Sequence, residues 1–397
     1  MHVVEGLLYL LAAGLLLPVL VLFVQIVSAL PRRRPAAPVA GLRPRVAVLI
    51  PAHDEAAGLP ATLRAIFAQL EPDDRVLVVA DNCTDDTAAV AHEAGAEVVE
   101  RRDQVLRGKG YALDFGVRHL AADPPEVVVI VDADCIVLPG ALDRVARLSW
   151  ASVRPVQALY EMRTPPGGSR FARIAEFAWR VKNLARPLGF LRMGLPCQLM
   201  GSGMAFPWPC IVRTELASGH IVEDMQMGVD LARAGAAPLF CPDAVVESSF
   251  PANRAGTDSQ RRRWEHGHLG MIATAVPGML AEGVLKRRPQ VLALALDLCV
   301  PPLALLVMLV AAVLAAAGLA ALAGASSGPL ALAILVLTLL VLAVGLAWIR
   351  FGRDIVGLST LVLAVAYALR KVPLYAGFLV RRQVAWVRSK RDAEHAD

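Results

Sequence analysis

The stretch VVVIVDADCIV, residues 127–137, decides how this chain is read. Its first five residues, Val127 to Val131, are branched and apolar, the composition of a strand covered on both faces. Asp132 and Asp134 follow, with one alanine between them. Burying a carboxylate is costly unless it is paired or holds a metal, so two acids ending a buried strand require a partner. On an extended chain, residues two apart point the same way, roughly 6–7 Å apart. Such a pair can hold a hard divalent cation; Mg2+ and Mn2+ favour oxygen ligands and usually add phosphate oxygens. The plain alternative is two exposed acids in a turn.

Outward from that strand, residues 45–270 alternate between strand and helix patterns. RVAVLIPAHDE (45–55) is an apolar strand ending in polar residues, and LPATLRAIFAQL (59–70) has helical spacing. RVLVVADNCTDDT (75–87) reads as strand then loop, TAAVAHEAGA (87–96) as a helix stopping near Gly95, and EVVER (97–101) as a short strand. GKGYALDFGVRHLAA (108–122) is a helix entered through glycines. This order implies an α/β domain with a mostly parallel sheet, whose ligands bind outside the carboxyl ends of the strands.

The flanks are different. The chain is 56% hydrophobic with a mean hydropathy of +0.54, too apolar for an ordinary soluble enzyme. Residues 6–30 carry no charge, hold Gln25 as their one strongly polar side chain, and precede PRRRP (31–35). Basic residues after the apolar run mark an uncleaved anchor, with its N-terminus outside and the chain continuing into the cytoplasm. After KRRP (286–289), residues 303–323 and 329–349 can each span a bilayer. Residues 354–380 contain Arg370, Lys371 and Pro373 and are expected to lie at the interface or re-enter, giving three spans; a further span is the alternative. The expected divisions are an anchor at 1–30, a cytoplasmic catalytic domain at 45–285, a membrane region at 290–380 and a basic cytoplasmic tail at 381–397. The six cysteines show no CxxC spacing, so neither a disulfide framework nor a zinc site is expected. The basic clusters adjoin the apolar segments, so no nucleic-acid partner is expected.

Further segments carry chemistry, each beside a bland reading. Asp81 ends its strand where it can accept a hydrogen bond from a nucleotide base, while Thr84 or Asp85 can cap the next helix. Asp54 and Glu55 can reach a base or ribose, or only cap. GKG (108–110) lets the backbone approach a phosphate, with Lys109 adding charge at a helix N-terminus. In HIVEDMQMG (220–228), Glu223 and Asp224 are adjacent, so one is expected to hold its proton more tightly. One of them can serve as a general base, or both simply favour a helix N-terminus. In QRRRWEHGH (260–268), Arg263 can pair with a diphosphate and Trp264 can stack on a sugar; a basic membrane-surface helix is the alternative. His266 and His268 have no third ligand nearby in sequence.

In their order, PAHDE, DNCTDDT, GKGYAL, DAD, GSGMAF, ED and QRRRW, followed by apolar spans, resemble the membrane-bound members of glycosyltransferase family 2, among them the cellulose, chitin and hyaluronan synthases and the ceramide glucosyltransferases. The resemblance implies a GT-A fold, Rossmann-like, with flanking transmembrane helices, a nucleotide-diphosphate sugar donor, expected to be a UDP-sugar, and Mg2+ or Mn2+. It implies an inverting transfer. Asp81 would contact the uracil with Glu55 nearby, and Lys109 would lie near the nucleotide. Asp132 would contact the nucleotide sugar, and Asp134 would hold the metal. Asp224 would be the base with Glu223 beside it. Gln260, Arg263 and Trp264 match QxxRW, which holds the diphosphate and lines the acceptor site; GSGM (201–204) would border the acceptor pocket. The chain departs from the family in reading VED where TED is common, and in lacking the longer Cys-containing acceptor motif of the polymer synthases. The expected acceptor is a membrane lipid or a growing glycan, in envelope glycolipid or exopolysaccharide synthesis, with other envelope-biosynthesis proteins as partners. The expected location is the inner membrane of a bacterium. Processive synthesis is the alternative; a nucleotidyltransferase and a non-catalytic sugar-nucleotide-binding scaffold stand further off.

Overall fold

The computed structural model describes residues 2–32, 36, 37, 39–251 and 254–380. Arg33, Arg34 and Pro35 of the first basic cluster and the basic tail at 381–397 lie outside the described residues. The chain divides into two compact units. Of the described residues, one unit comprises 2–32, 166–194 and 268–380, and the other comprises those from 36 to 165 and from 195 to 267. The stretch expected as a continuous domain at 45–285 is therefore interrupted: residues 166–194 and 268–285 group with the apolar helices.

The second unit holds one eight-stranded sheet. Its strands are β1 (Val46–Ala52), β2 (Arg75–Asp81), β3 (Glu97–Arg101), β4 (Val127–Ile130), β5 (Ile136–Val137), β6 (Val156–Arg163), β7 (Met204–Pro207) and β8 (Leu239–Ser249). Their spatial order is β3-β2-β1-β4-β7-β6-β8-β5. β3, β2, β1 and β4 run parallel, with Leu49 opposite both Leu77 and Ile130. β7 is antiparallel to β4 and β6, while β8 is parallel to β6 and antiparallel to β5. Val46 to Ile50 and Val127 to Ile130 are each buried, which is why these runs show no polar alternation. Leu49, Leu77, Ile130 and Phe206 meet Leu113 and Leu120 of helix Lys109–Leu120 in the main core. Strand order reverses across β1 and β4, the kind of switch point at which ligands bind in open α/β sheets.

The first unit is helical. Among the described residues, four helices are long and apolar enough to cross a membrane: His2–Ala29, Leu303–Leu322, Gly328–Phe351 and Leu358–Phe378. The sequence reading has three spans. The difference is the last segment, which has the length but is broken into Leu358–Leu361, Ala364–Leu369 and Val372–Val380. At its second break, Arg370 lies 4.7 Å over the ring of Phe171 and Lys371 lies 4.9 Å over Tyr367. Phe171 belongs to the helix Arg170–Arg180, which leads through a single π-helical turn, Val181–Ala185, into Arg186–Arg192. Gln25, the lone polar residue of the first apolar run, is fully buried. Its amide donates to Asp297 Oδ1 (2.6 Å) and accepts from Arg186 Nε (3.1 Å). Arg186 Nη2 donates to Asp297 Oδ1 (2.7 Å) and to its carbonyl (2.5 Å).

Candidate active site

The polar ends of β1, β2 and β4 lie at the carboxyl edge of the parallel strands. β4 stops at Ile130, and Val131 extends it by one N–H bond to Leu49 O (3.1 Å). The two acids are therefore not on extended chain, as the sequence reading has them. They sit in a turn closed by the Cys135 N–H on the Asp132 carbonyl (3.1 Å). The turn draws one ligand atom from each of Asp132, Asp134 and Cys135 to within 4.8 Å of one another, closer than strand spacing allows. Ser248, from β8, donates its hydroxyl to Asp134 Oδ2 (3.0 Å). Cys135 Sγ lies 3.7 Å from Asp134 Oδ1 and 3.8 Å from the Tyr160 hydroxyl. Burial pushes the Cys135 thiol well up, and the Asp134 and Asp132 charges push it further.

Lys109 is the first residue of its helix, entered through Gly108 at φ 132°. Its ammonium pairs with Asp132 Oδ1 and donates to the Gly201 carbonyl (2.7 Å). Burial works against that charge, but Asp132, Glu223 and Asp224 more than offset it, so the Lys109 pKa is raised. The GSG turn thus serves Lys109 and Asp132. Ser202 Oγ accepts the Asp132 N–H (3.1 Å), and the Gly203 N–H donates to Ile130 O (2.9 Å). Gly201 has φ +92°, and a Cβ there would come 3.4 Å from Asp224 Oδ2 and 3.8 Å from Lys109 Nζ. A side chain at Gly201 would be strained and would crowd both groups.

Glu223 and Asp224 open the helix Glu223–Arg233, as the helix-terminus reading expects. Burial raises the Glu223 pKa; Lys109 pulls it down, Asp224 pushes it up and Arg263 pulls it down. The Asp132 pKa is raised by burial and lowered by Lys109, with Asp134 and Glu223 raising it again. Lys109, Asp132, Asp134, Glu223, Asp224 and Arg263 thus form one electrostatic cluster, with acids in excess.

Asp81 is 7% exposed and paired with Arg101 (2.7 Å), which also donates to Leu106 O (2.7 Å). Arg101 lies 5.6 Å over the Tyr111 ring. Asn82 donates to the same Asp81 Oδ1 (3.0 Å). Burial raises the Asp81 pKa, and Arg101 opposes it. Asp54 has φ +53° and takes the Thr84 N–H on Oδ1 (2.6 Å), so it organises the neighbouring loop. Asp85 accepts the N–H of Thr87 (3.0 Å), the first residue of helix Thr87–Glu93, fulfilling its capping expectation. The Glu55 N–H donates to Thr87 Oγ1 (2.8 Å).

QRRRW lies on the helix Arg254–Thr274. Gly267 packs so closely on the VED segment that a Cβ there would come 2.3 Å from Val222 Cγ1. Gln260 is 9% exposed and, among the described residues, its Oε1 has no hydrogen-bond partner, an acceptor that a ligand hydroxyl would satisfy. Arg263 and Trp264 are half-buried. Among the described residues, His266 and His268 join no group of metal-ligating side chains.

Sequence reading missed Arg101, Tyr160 and Ser248, and placed Ser202, within GSGM, at the acceptor pocket rather than beside Asp132. Arg101 ends a strand in which it looks like an ordinary charged residue. Ser248 lies 114 positions from the carboxylate it serves, and spacing carries no trace of that contact. The donor chemistry fits a hard divalent cation: Asp132 and Asp134 offer carboxylate oxygens on a turn that gathers them.

Comparison with known proteins agrees with this geometry. The family model for glycosyltransferase-like family 2 matches residues 44–267, which contain the whole of the cluster. Uncharacterised glycosyltransferases of Mycobacterium tuberculosis and Mycobacterium bovis are 33% identical over 198 residues, covering 45% of this chain and 82% of theirs. A mannosyltransferase of Pyrobaculum calidifontis, solved with GDP-mannose and Mn2+, shares the fold at a TM-score of 0.59 and 22% identity, covering 96% of this chain and 100% of that one.

Proposed function

The chain belongs to glycosyltransferase-like family 2, and from that membership we propose that it moves a sugar, with inversion, from a nucleotide-diphosphate donor to a membrane-associated acceptor. The observation that carries this reading is the single cluster at the sheet edge: Asp132 paired with Lys109, Asp134 held by Ser248, and Glu223 and Asp224 beside them. Asp224 takes the proton of the acceptor hydroxyl as its oxygen attacks C1 of the sugar. The bond from C1 to the diphosphate breaks, and the nucleoside diphosphate leaves. Arg263 and Gln260 hold the diphosphate, Trp264 lines the acceptor site and Asp81, with Glu55 nearby, receives the base, for which a UDP-sugar is the proposed donor.

Asp134, with Asp132, would hold Mn2+ or Mg2+. When bound, the cation supplies positive charge to the departing diphosphate. Lys109 supports this edge from the other side: it offsets Asp132 and Glu223 and is positioned by Gly201. Glu223, whose pKa burial and Asp224 raise against Lys109 and Arg263, stands beside Asp224, the proposed base.

The four apolar helices support a chain embedded in a membrane. We place its catalytic unit on the cytoplasmic side of a bacterial inner membrane. The Arg370 and Lys371 contacts with aromatic rings support 354–380 as an interfacial segment after three spans. The acceptor is then a lipid or a lipid-linked glycan of the envelope, and transfer is single or limited. The test is nucleoside-diphosphate release by the full chain in lipid nanodiscs, with Mn2+ or Mg2+, a panel of UDP- and GDP-sugars and a membrane lipid extract. Metal-dependent release with one sugar, lost in Asp224→Asn, supports the reading. A high-mass ladder of product supports the processive alternative. Nucleotide binding without release across the panel would sink the catalytic assignment.

A further inference from the structure

Asp134 is gripped on both oxygens. Ser248 holds Oδ2 at 3.0 Å from across the sheet, and Cys135 Sγ sits 3.7 Å from Oδ1. The thiol has one proton to give and Asp134, Tyr160 and Ser202 within reach. A carboxylate can only accept, so the S–H is directed at Asp134. The Tyr160 hydroxyl, 3.8 Å from the sulfur, then donates to it. The result is a chain, Tyr160 to Cys135 to Asp134, in a part of the fold where Cys135 is fully buried and Tyr160 is 5% exposed. Tyr160 lies on β6 and Ser248 on β8, neighbouring strands in register at Tyr160 with Val246 and Met162 with Ser248. Two neighbouring strands therefore brace one carboxylate, β8 directly and β6 through Cys135.

Metal affinity depends on such bracing. Hydrogen bonds to a ligating carboxylate fix its orientation, and their loss typically weakens metal binding about 10–100-fold. A thiol beside two carboxylates has a second option: as a thiolate it would become a soft ligand itself. A hard divalent cation favours oxygen over sulfur ligands, and the sulfur already lies 3.7 Å from Asp134 Oδ1, leaving the thiol as a donor.

We propose that Cys135, backed by Tyr160, and Ser248 are positioning residues that orient Asp134 for a hard divalent cation, and that the Cys135 thiol acts as a hydrogen-bond donor and not as a metal ligand. This rests on the proposed role of Asp134 in holding the metal.

The experiment is a titration of the full chain in nanodiscs with Mn2+ in the presence of UDP, following the loss of the free-ion electron paramagnetic resonance signal. It needs no turnover. Cys135→Ser keeps a donor and Cys135→Ala removes it; Ser248→Ala removes the other, and Asp134→Asn removes the ligand. The expected result is a Mn2+ Kd raised about 10-fold or more in Cys135→Ala and Ser248→Ala. In Cys135→Ser it stays within about 3-fold of the parent, and in Asp134→Asn binding is lost. Unchanged Kd in both alanine variants, with binding lost in Asp134→Asn, would overturn the positioning role while leaving the metal at Asp134. An equal loss in Cys135→Ser and Cys135→Ala would overturn the donor role, because then the sulfur itself matters. Unchanged binding in Asp134→Asn would overturn the metal reading on which the proposal rests. A thermal unfolding midpoint for each variant separates these outcomes from misfolding, and Ser248→Ala tests the same carboxylate from a position outside the turn.

Discussion

The half-buried acid cluster around Lys109 and the buried triad of Gln25, Arg186 and Asp297 both gather charge, and they treat it in opposite ways. In the triad one guanidinium meets one carboxylate, and a neutral amide bonds to both. Its charges sum to zero, and its donors and acceptors close on one another. In the cluster, Lys109 and Arg263 face Asp132, Asp134, Glu223 and Asp224, and acids outnumber cations. Nearby, the buried Gln260 Oε1 has no partner among the described residues. A network that satisfies itself is a structural clasp. One that keeps surplus negative charge and an orphaned acceptor is built for something that arrives from solution.

That contrast can be broken by substitution. The largest expected effect is chemical: Asp224→Asn should lower transfer about 10²–10⁴-fold while nucleotide binding persists, read as nucleoside-diphosphate release against equilibrium binding. If release survives, the base lies elsewhere in the cluster. Next is the clasp. Removing one partner of a buried ion pair costs about 3–5 kcal/mol, so Asp297→Ala should sharply lower the thermal midpoint of the full chain in nanodiscs. Replacing the pair together, as Arg186→Met with Asp297→Leu, should recover most of that loss. The same single substitution should leave the Mn2+ Kd unchanged.

Lys109→Met should separate the two kinds of charge more finely. It removes a cation from a site with surplus acid, so Mn2+ should bind more tightly. Transfer should nevertheless fall about 10–100-fold, the worth of a hydrogen bond to a charged group. Equal loss of both would mean that Lys109 is a structural prop.

The smallest effect is in pH. Glu223 has an ordinary carboxyl value of 4.5 when unfolded, and burial raises it in the fold. The folded state then binds more protons than the unfolded chain between the two values. Stability from this group is fully present below about 4.5 and is lost as pH rises through the folded value. Without metal, denaturant unfolding should show the catalytic unit weakening over that window, and Glu223→Gln should flatten the slope. An unchanged slope would place the raised carboxyl at Asp132 instead.

Much of this was legible from residues alone. The runs at 46–50 and 127–131 announced buried parallel strands because a strand covered on both faces has no polar alternation. The polar ends of those strands announced the site because backbone topology puts them at one edge. Two acids separated by one alanine pointed to oxygen ligands for a cation, and the fold gathers their ligand atoms; Lys109 of GKG, the acids of VED and Arg263 of QRRRW share the cluster. What sequence order could not supply was closeness between distant positions. The turn at Asp132 to Cys135 gathers ligand atoms more tightly than strand geometry, since one backbone hydrogen bond folds the chain back. Gly201, expected at an acceptor pocket, serves Lys109 through its carbonyl. Arg101 on Asp81 and Ser248 on Asp134 became visible only when strands lay side by side. Gln25 is the sharpest case. In sequence it is a blemish in an apolar run; in the fold it bonds to residues 161 and 272 positions away. Local pattern determines which segments become strand, helix or span, because propensity and burial act over a few residues. Partners of buried charge are set by packing, which brings together what the chain keeps apart, and only the tertiary structure decides them.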